Sequence, residues 1–224
     1  MKYIYVSILI LTSFNLYSQY YTLEYQEKRI IKIPDRVRDN PLILEKVKEI
    51  VEEKSNTIFL TKVHVSPSCV YSRIDSIYYE KNFTNKHNIQ TDYNIIEYYK
   101  KENSIYIKDP RFGVSTFQIK PDQIEIREYS DISKKVGSYN CHKMEVIYMS
   151  EKFELWVSDE TKVKGGPIVF SFLPYLIVEA YSDKTSYRLI SISDRLEKTK
   201  QCPDQFEKIQ SYKGYEKKIN TQKY

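Results

Sequence analysis

Glycine, histidine and cysteine are all scarce in this sequence. Only 5 of the 224 residues are glycine, which argues against a glycine-rich phosphate-binding loop and against glycine-based repeats. With only three histidines and three cysteines, the sequence offers few side chains for a metal site or a catalytic base. No GxSxG, HExxH, P-loop or CxxC motif is present. We therefore expect a non-catalytic protein with no metal and no cofactor.

The histidines do not lie in a pattern that suggests chemistry. His87 lies in a polar stretch and His64 in an alternating strand-like stretch, so we expect both at the surface. Cys141 and His142 are adjacent, but neighbouring residues of a strand point to opposite faces and cannot easily hold one ion. We interpret Cys141 as a small buried side chain.

The composition is that of a globular protein rich in tyrosine. Hydrophobic residues make up 41% and charged residues 29%, which suits one domain with a real core. The 22 tyrosines favour half-buried strand positions, where the ring is covered and the hydroxyl reaches the rim. The net charge of +5 is modest and mixed in sign, so we expect no nucleic-acid partner.

The first residues have the anatomy of a secretory signal peptide. Lys2 precedes an apolar run from Ile4 to Leu11, and Ser18 is a small residue suited to signal peptidase. The run is shorter than the roughly 20 residues that a membrane-spanning helix needs. We predict a signal peptide over residues 1–18, no transmembrane span after its cleavage, and a protein that is periplasmic, outer-membrane associated or secreted.

Hydrophobic periodicity predicts a mainly β fold. Residues 41–54 have helical spacing after an Asn40-Pro41 start, with Ile43, Val47, Ile50 and Val51 on one face. Most of the remaining chain alternates as short strands, including residues 57–65, 139–148 and 152–158. We predict one β-rich domain over residues 19–200, built as a curved antiparallel sheet or partly open barrel with helix 41–54 packed on it. Residues 201–224 are predicted as a tail with a short helix near Phe206 and Ile209.

The longest apolar run of this domain is residues 168–178. Such a run is typical of a central strand buried on both faces. Pro174 lacks the amide hydrogen that a central strand needs, so we predict a strand over residues 168–181 that is bent or interrupted there. Trp156, on the neighbouring hairpin, is expected to cover the break.

Four sequence elements follow one another within residues 134–184. They are a Gly-Tyr-x-Cys-x-Lys-like strand with one extra residue, a strand end with tryptophan, a Gly-Pro turn and the segment FLPYLI at 172–177. The matching residues are Gly137, Tyr139, Cys141, Lys143, Trp156, Gly166, Pro167, Phe170, Leu173, Pro174, Leu176 and Ile177. In order and spacing this stretch resembles the GLPGLI family of exported bacterial envelope proteins.

The resemblance implies a β-rich envelope protein and carries over no catalytic residue. Phe172 and Tyr175 replace the two signature glycines, so either those glycines serve close packing or the local turn differs in this chain. Cys141 belongs to the family-like strand, and we expect it to stay a thiol. Cys69 and Cys202 lie outside the motif and are the expected disulfide pair.

Three functions remain open. The first is a protein-binding accessory module whose partner is an outer-membrane or other envelope protein. The second is a carrier that holds an apolar ligand or lipid inside the curved sheet, in a pocket between the sheet and helix 41–54. The third, a hydrolase with residues scattered along the sequence, has the least support.

Overall fold

One open sheet of twelve strands organises the part of the chain that the computed structural model describes, which is residues 20–79, 96–113, 115–194 and 202–221. The sheet order is β12-β6-β5-β4-β3-β2-β1-β11-β10-β9-β8-β7. Neighbours pair antiparallel, except that β12 lies parallel to β6. The prediction of a mainly antiparallel β fold is therefore confirmed. The predicted signal peptide and His87 lie outside the described residues.

The strand bounds follow the predicted alternation closely in most places. In chain order the strands are β1 (Tyr21–Arg29), β2 (Thr57–Val65), β3 (Val70–Tyr79), β4 (Glu97–Lys101), β5 (Ser104–Lys108), β6 (Thr116–Ile119), β7 (Glu125–Val136), β8 (Tyr139–Tyr148), β9 (Glu151–Ser158), β10 (Leu176–Tyr181), β11 (Thr185–Ser193) and β12 (Ile209–Ser211). The strand β1 sits in the middle of the sheet, between β2 and β11. Its Leu23 and Tyr25 are fully buried, as is Val63 of β2.

The strands predicted over residues 139–148 and 152–158 are confirmed as β8 and β9, which pair as a hairpin. Its two turn residues, Met149 and Ser150, have φ angles of 52° and 58°. Two successive positive φ angles match the right-handed twist of the flanking strands, which is why two-residue hairpins use them. The hairpin between β7 and β8 turns at Gly137, where φ is 59°.

The helix α1 (Pro41–Ser55) forms where the sequence predicts it. The Asn40 side chain accepts a hydrogen bond of 3.3 Å from the Ile43 amide, and Pro41 occupies the first turn. Its packing is looser than expected, because Ile43 is 47% exposed and Leu42 is 79% exposed. The expectation that Ile43 docks the helix on the sheet is therefore wrong. The helix contacts the sheet at β1 and β2, through residues nearer its C-terminal end that are half-buried or buried.

The apolar run that precedes β10 leaves the sheet. Residues Ile168–Phe172 form a 3-10 helix, and β10 begins only at Leu176. The predicted strand over residues 168–181 is thus wrong in its first half. The chain turns sharply after Pro167, since Ile168 has a φ of 46°, and the Ile168 amide donates a hydrogen bond of 3.3 Å to the Ser72 hydroxyl of β3.

We call residues 163–175 the plug, because they fill the inside of the curled sheet. Val169 and Phe170 are fully buried, and Val163 and Leu173 nearly so. The 3-10 helix contacts β3, β4 and β5. On the other side the Phe170 ring lies 5.1 Å from that of Phe153 of β9. The sheet therefore bends around its own chain, with both halves packed against one segment.

The C-terminal segment also packs on the sheet. The strand β12 is followed at once by the helix α2 (Tyr212–Thr221), so the predicted short C-terminal helix is confirmed but starts later than Ile209, which lies in β12. Tyr212 and Tyr215 are buried. A disulfide joins Cys202 to Cys69, with Cα atoms 5.9 Å apart, a separation in the usual disulfide range. Neither described helix is long and apolar enough to cross a membrane.

Candidate binding cleft

A cleft of about 750 Å³ opens beside the plug, and residues from eight of the described strands and helices line it. Its wall carries two arginines and four tyrosines. These are Arg29 of β1, Tyr98 of β4, Arg111 of the 3-10 helix Pro110–Phe112, Tyr148 of β8, Tyr187 of β11 and Tyr215 of α2. A volume of this size is typical of sites for small molecules or for a few side chains of a partner.

The first arginine is held by a carboxylate behind it. Glu27 and Arg29 form an ion pair of 2.7 Å on β1. The Glu27 side chain is 3% exposed and that of Arg29 is 23% exposed. The Thr61 hydroxyl donates a hydrogen bond of 3.3 Å to Glu27, and the Arg29 guanidinium lies 4.2 Å from the centre of the Phe59 ring. The acid is sealed in the wall, and the guanidinium is oriented at the surface of the cleft.

The second arginine repeats this arrangement. Arg111 donates two hydrogen bonds to the Asp109 carboxylate, of 2.9 Å from Nε and 2.6 Å from Nη2. The Asp109 side chain is fully buried, whereas that of Arg111 is 26% exposed. Asp109 also accepts a hydrogen bond of 3.1 Å from the Tyr215 hydroxyl. Because the carboxylate has several donors, the guanidinium that it orients is held rigidly.

Tyr98 lines the same cleft as the two arginines and is influenced by both ion pairs. Burial raises its pKa above the ordinary value of 10.0, and the negative charges of Glu27 and Asp109 raise it further. Arg29 and Arg111 oppose that shift. All four charged groups thus act on one phenol. Both arginines line the one cleft, together with Tyr98.

Tyr148 carries a buried hydroxyl in the cleft wall. The residue is 6% exposed, and its hydroxyl has no hydrogen-bond partner in the described part of the chain. Its ring stacks on that of Tyr212 at 6.0 Å. Burial raises the pKa of Tyr148 and of Tyr187 well above the ordinary value, so both phenols stay neutral at physiological pH. A neutral phenol can both donate and accept a hydrogen bond.

The Cys141 thiol is in an inert environment. It is 3% exposed, and burial raises its pKa to about 11, although the charge of Lys134 opposes the shift. The neighbouring His142 instead contacts the Tyr175 ring at 4.9 Å. Within residues 20–79, 96–113, 115–194 and 202–221, no three His, Cys, Asp or Glu side chains are grouped so that they could hold a metal ion.

The motif residues of the hairpin lie on the sheet face away from the plug. Lys143 of β8 and Trp156 of β9 are directly opposite each other, and Trp156 is opposite Glu179 of β10. The indole nitrogen of Trp156 donates hydrogen bonds of 2.7 Å to the Tyr181 hydroxyl and 3.1 Å to Glu154. Phe153 faces the plug, and alternate residues share a face, so Trp156 points the other way. The expectation that Trp156 covers the break at Pro174 is wrong.

The remaining motif residues lie in the plug, at the start of β10 and in the β7–β8 hairpin. Gly166 faces Ile177 so closely that a Cβ there would lie 2.8 Å from the Ile177 Cβ. Neither Phe172 nor Tyr175, which replace the signature glycines, has a positive φ, so their side chains cause no backbone strain. Pro167, Phe170 and Leu173 lie in the plug with Pro174, while Leu176 and Ile177 begin β10. Gly137, Tyr139 and Cys141 belong to the β7–β8 hairpin.

Comparisons with known proteins identify a fold and no function. No family model matches the chain, and no curated protein matches it in sequence. PNGF-II in a C2 crystal form has a TM-score of 0.50 and 16% identity over 90% of this chain and 33% of its own. The P21 form has a TM-score of 0.48, with the same identity and coverage. An uncharacterized conserved protein from Thermus thermophilus has a TM-score of 0.39 and 8% identity over 92% of this chain and 98% of its own.

The likeness to PNGF-II is limited to part of that protein and to the fold. This chain spans about a third of the length of PNGF-II. At 16% identity, the likeness to the C2 form concerns the β-rich fold alone. Membership of the GLPGLI family stays a prediction that rests on the motif residues.

None of the motif residues lines the cleft, and sequence reasoning missed the residues that do. A weak signal was present, since both ion pairs have the pattern acid-x-arginine, as Glu27-x-Arg29 and Asp109-x-Arg111. The same pattern occurs at Glu125 and Arg127, whose side chains are 50% and 61% exposed on the edge strand β7. The pattern therefore needs burial of the acid before it indicates a site.

Proposed function

We propose that this chain is a non-catalytic protein of the bacterial envelope that binds another protein through the cleft. The observation that supports this most is the cluster of Tyr98, Tyr148, Tyr187 and Tyr215 around two oriented arginines. Tyrosine and arginine are among the residue types most enriched at the energetic centres of protein interfaces. A rigid tyrosine loses little conformational freedom on binding, so such a surface can bind tightly without rearranging.

The partner inserts a short segment into the cleft. A volume of about 750 Å³ accommodates a few residues and not a folded domain. A loop or chain end of the partner fits this size. The rest of the contact then lies on the surface around the cleft mouth.

The second candidate function, a carrier of an apolar ligand, has weaker support. Fully buried Val169 and Phe170 of the plug occupy the inside of the curled sheet, where such a ligand would have to lie. The start of α1, which would form one wall of the expected apolar pocket, is exposed, since Leu42 is 79% exposed and Ile43 is 47% exposed. The cleft itself is lined by charged groups and phenols, which apolar ligands leave without partners.

The proposed location rests on the signal-like residues 1–18 and on cysteine use. The Cys69–Cys202 disulfide suits an oxidising compartment such as the periplasm. An outer-membrane or other envelope protein is the partner that this location would offer. Intact-mass measurement of the exported protein, with the loss of about 18 residues, is the test of this part of the proposal.

Filling the cleft tests the binding proposal directly. Thr185 of β11 lines the cleft, whereas the next residue, Ser186, points to the other face of the sheet and lines a different pocket. Cross-linking of the full chain in native envelopes, followed by affinity purification and mass spectrometry, should give a stoichiometric protein partner. We expect Thr185→Trp to lose that partner and Ser186→Trp to keep it.

Two results would contradict the proposal. If lipid co-purifies in place of a protein, the carrier function is favoured. If Thr185→Trp retains the partner as fully as Ser186→Trp does, binding takes place away from the cleft. Matching circular dichroism and melting curves for the two variants show that neither effect comes from misfolding.

A further inference from the structure

The charges around the cleft are arranged with the cations outside and the anions inside. The carboxylates of Glu27 and Asp109 are 3% and 0% exposed, but the side chains of Arg29 and Arg111 are 23% and 26% exposed. A ligand in the cleft therefore meets the guanidiniums first. A guanidinium is always charged, and its planar fork of N–H donors matches planar oxyanions.

The charge count disfavours a ligand with more than one negative charge. The cations Arg29, Arg111 and Lys184 line the cleft, together with the acids Glu27 and Glu151. With Asp109 behind Arg111, the positive and negative groups balance. Near balance, one added negative charge can be accommodated by the two guanidiniums, whereas a doubly charged phosphate would be left partly uncompensated.

The Tyr148 hydroxyl supplies an independent indication of a bound polar group. It is buried in the cleft wall and has no partner in the described residues. Buried polar groups in folded proteins nearly always have a partner, so one without a partner needs a reason. A ligand atom within reach of this hydroxyl would satisfy it.

We infer that the cleft binds a carboxylate attached to a planar body, with Arg29 and Arg111 at the carboxylate and the tyrosine rings around the body. The Tyr148 hydroxyl donates to the ligand. This inference rests on the proposed function, and the carboxylate that it assigns to the protein partner is the C-terminus of the partner's chain. The same chemistry is offered by a free small organic acid, and the test distinguishes the two sources.

The first experiment compares three probes by NMR titration of the full, oxidised chain. Hippurate carries a carboxylate on a planar body, hippuramide is its neutral amide, and phenyl phosphate is the doubly charged analogue. We expect hippurate to shift the ring signals of Tyr98 and Tyr148 and to saturate, and the other two to bind at least about tenfold more weakly. Equal binding of hippurate and hippuramide, tighter binding of phenyl phosphate, or no binding of hippurate and of free-carboxylate peptides would each overturn the inference.

The second experiment tests whether ligand binding needs the planar guanidinium groups of the two arginines or only their positive charge. Arg29→Lys and Arg111→Lys keep each buried acid paired with a cation but remove the planar fork, and each should lower the hippurate affinity about tenfold. Arg188→Lys is the matched control, since Arg188 pairs with Glu179 outside the cleft. If hippurate binds the Arg29 and Arg111 variants as tightly as the control, the assignment is wrong.

Tyr148→Phe gives a readout that a structural role would not produce. Removing an unpartnered hydroxyl should leave the melting temperature unchanged or raise it, while the hippurate affinity falls about fivefold. If the affinity stays the same, the hydroxyl does not contact the ligand and that part of the inference fails.

Peptide probes identify the source of the carboxylate. Pooled nonapeptides with free C-termini should bind, and the same peptides with amidated C-termini should not. If only hippurate binds, the ligand is a small acid. If the cross-linked partner is retained by Arg29→Lys and Arg111→Lys, the proposed function stands and the carboxylate inference falls; if hippurate binds but no protein partner is ever captured, the reverse holds.

Discussion

The Tyr25 hydroxyl donates a hydrogen bond of 2.6 Å to the backbone carbonyl of Ile177, 152 residues further along the chain. Tyr25 is fully buried on the central strand β1, and Ile177 lies where the plug rejoins the sheet. The same hydroxyl also reaches the Gly165 carbonyl, at 3.5 Å. One phenol thus holds both ends of the plug against the middle of the sheet.

Tyr25→Phe should destabilise the protein because it leaves the Ile177 carbonyl buried without its donor. The expected loss is about 1–3 kcal/mol in the free energy of unfolding, measured by urea denaturation. Tyr148→Phe is the matched control in the absence of ligand, since its hydroxyl has no partner in the described residues. The two substitutions delete the same atom from buried tyrosines, so equal stabilities would show that the Tyr25 bond contributes nothing.

Gly166→Ala and Gly214→Ala should have opposite effects. A Cβ at Gly166 would collide with Ile177, so we expect a loss of about 1–3 kcal/mol from overpacking. Gly214 lies in α2, where the nearest atom to an added Cβ is 3.7 Å away. Alanine there should stabilise by roughly 0.5–1 kcal/mol through helix propensity. Thermal melts of both variants test these two expectations. A stable Gly166→Ala protein would mean that the plug can shift away from β10.

Loss of the Cys69–Cys202 disulfide should loosen the C-terminal segment first. The bond closes a sequence separation of 133 residues, for which the chain-entropy account gives about 4–5 kcal/mol, with measured values often smaller. We expect paired Cys69→Ser and Cys202→Ser substitutions to lower stability and to speed amide exchange in β12 and α2 more than in β1. Cys141→Ser is the control for removing a cysteine outside the bond. Unchanged exchange in α2 would show that the helix is held by its own packing.

Alkaline pH should unfold the protein. Burial raises the pKa of Tyr25, Tyr148 and Tyr187 well above the ordinary value of 10.0, so the folded protein keeps protons that the unfolded chain releases. The stability from these groups is fully present below about pH 10 and is lost as the pH rises further. Phenolate absorbance should show one group of tyrosines that ionises without a change in circular dichroism and a second that ionises only as the signal for the sheet disappears. A single transition near pH 10 with the fold intact would contradict this.

The sequence predicted those elements whose pattern depends on local contacts alone. Alternation identified β2 and β8, and Asn40 with Pro41 marked the start of α1. Residues 168–172 were misassigned because an apolar run reports burial and not conformation, and a buried 3-10 helix has the same composition as a buried strand. The cleft could not be predicted from the sequence for a different reason. Arg29, Arg111 and Tyr148 lie on elements that only the sheet order brings together.

The central position of β1 has a consequence for how the chain folds. Glu24 of this strand accepts a hydrogen bond from Ser191 of β11, which follows it by 167 residues. During synthesis one edge of β1 can pair early with β2, but its other edge waits until nearly the whole chain is available. Contacts so distant in sequence make folding slow and leave a strand edge open to wrong partners in the meantime. A chain with this topology gains from remaining unfolded until it is complete, which is the state in which secreted chains cross a membrane if the predicted export holds.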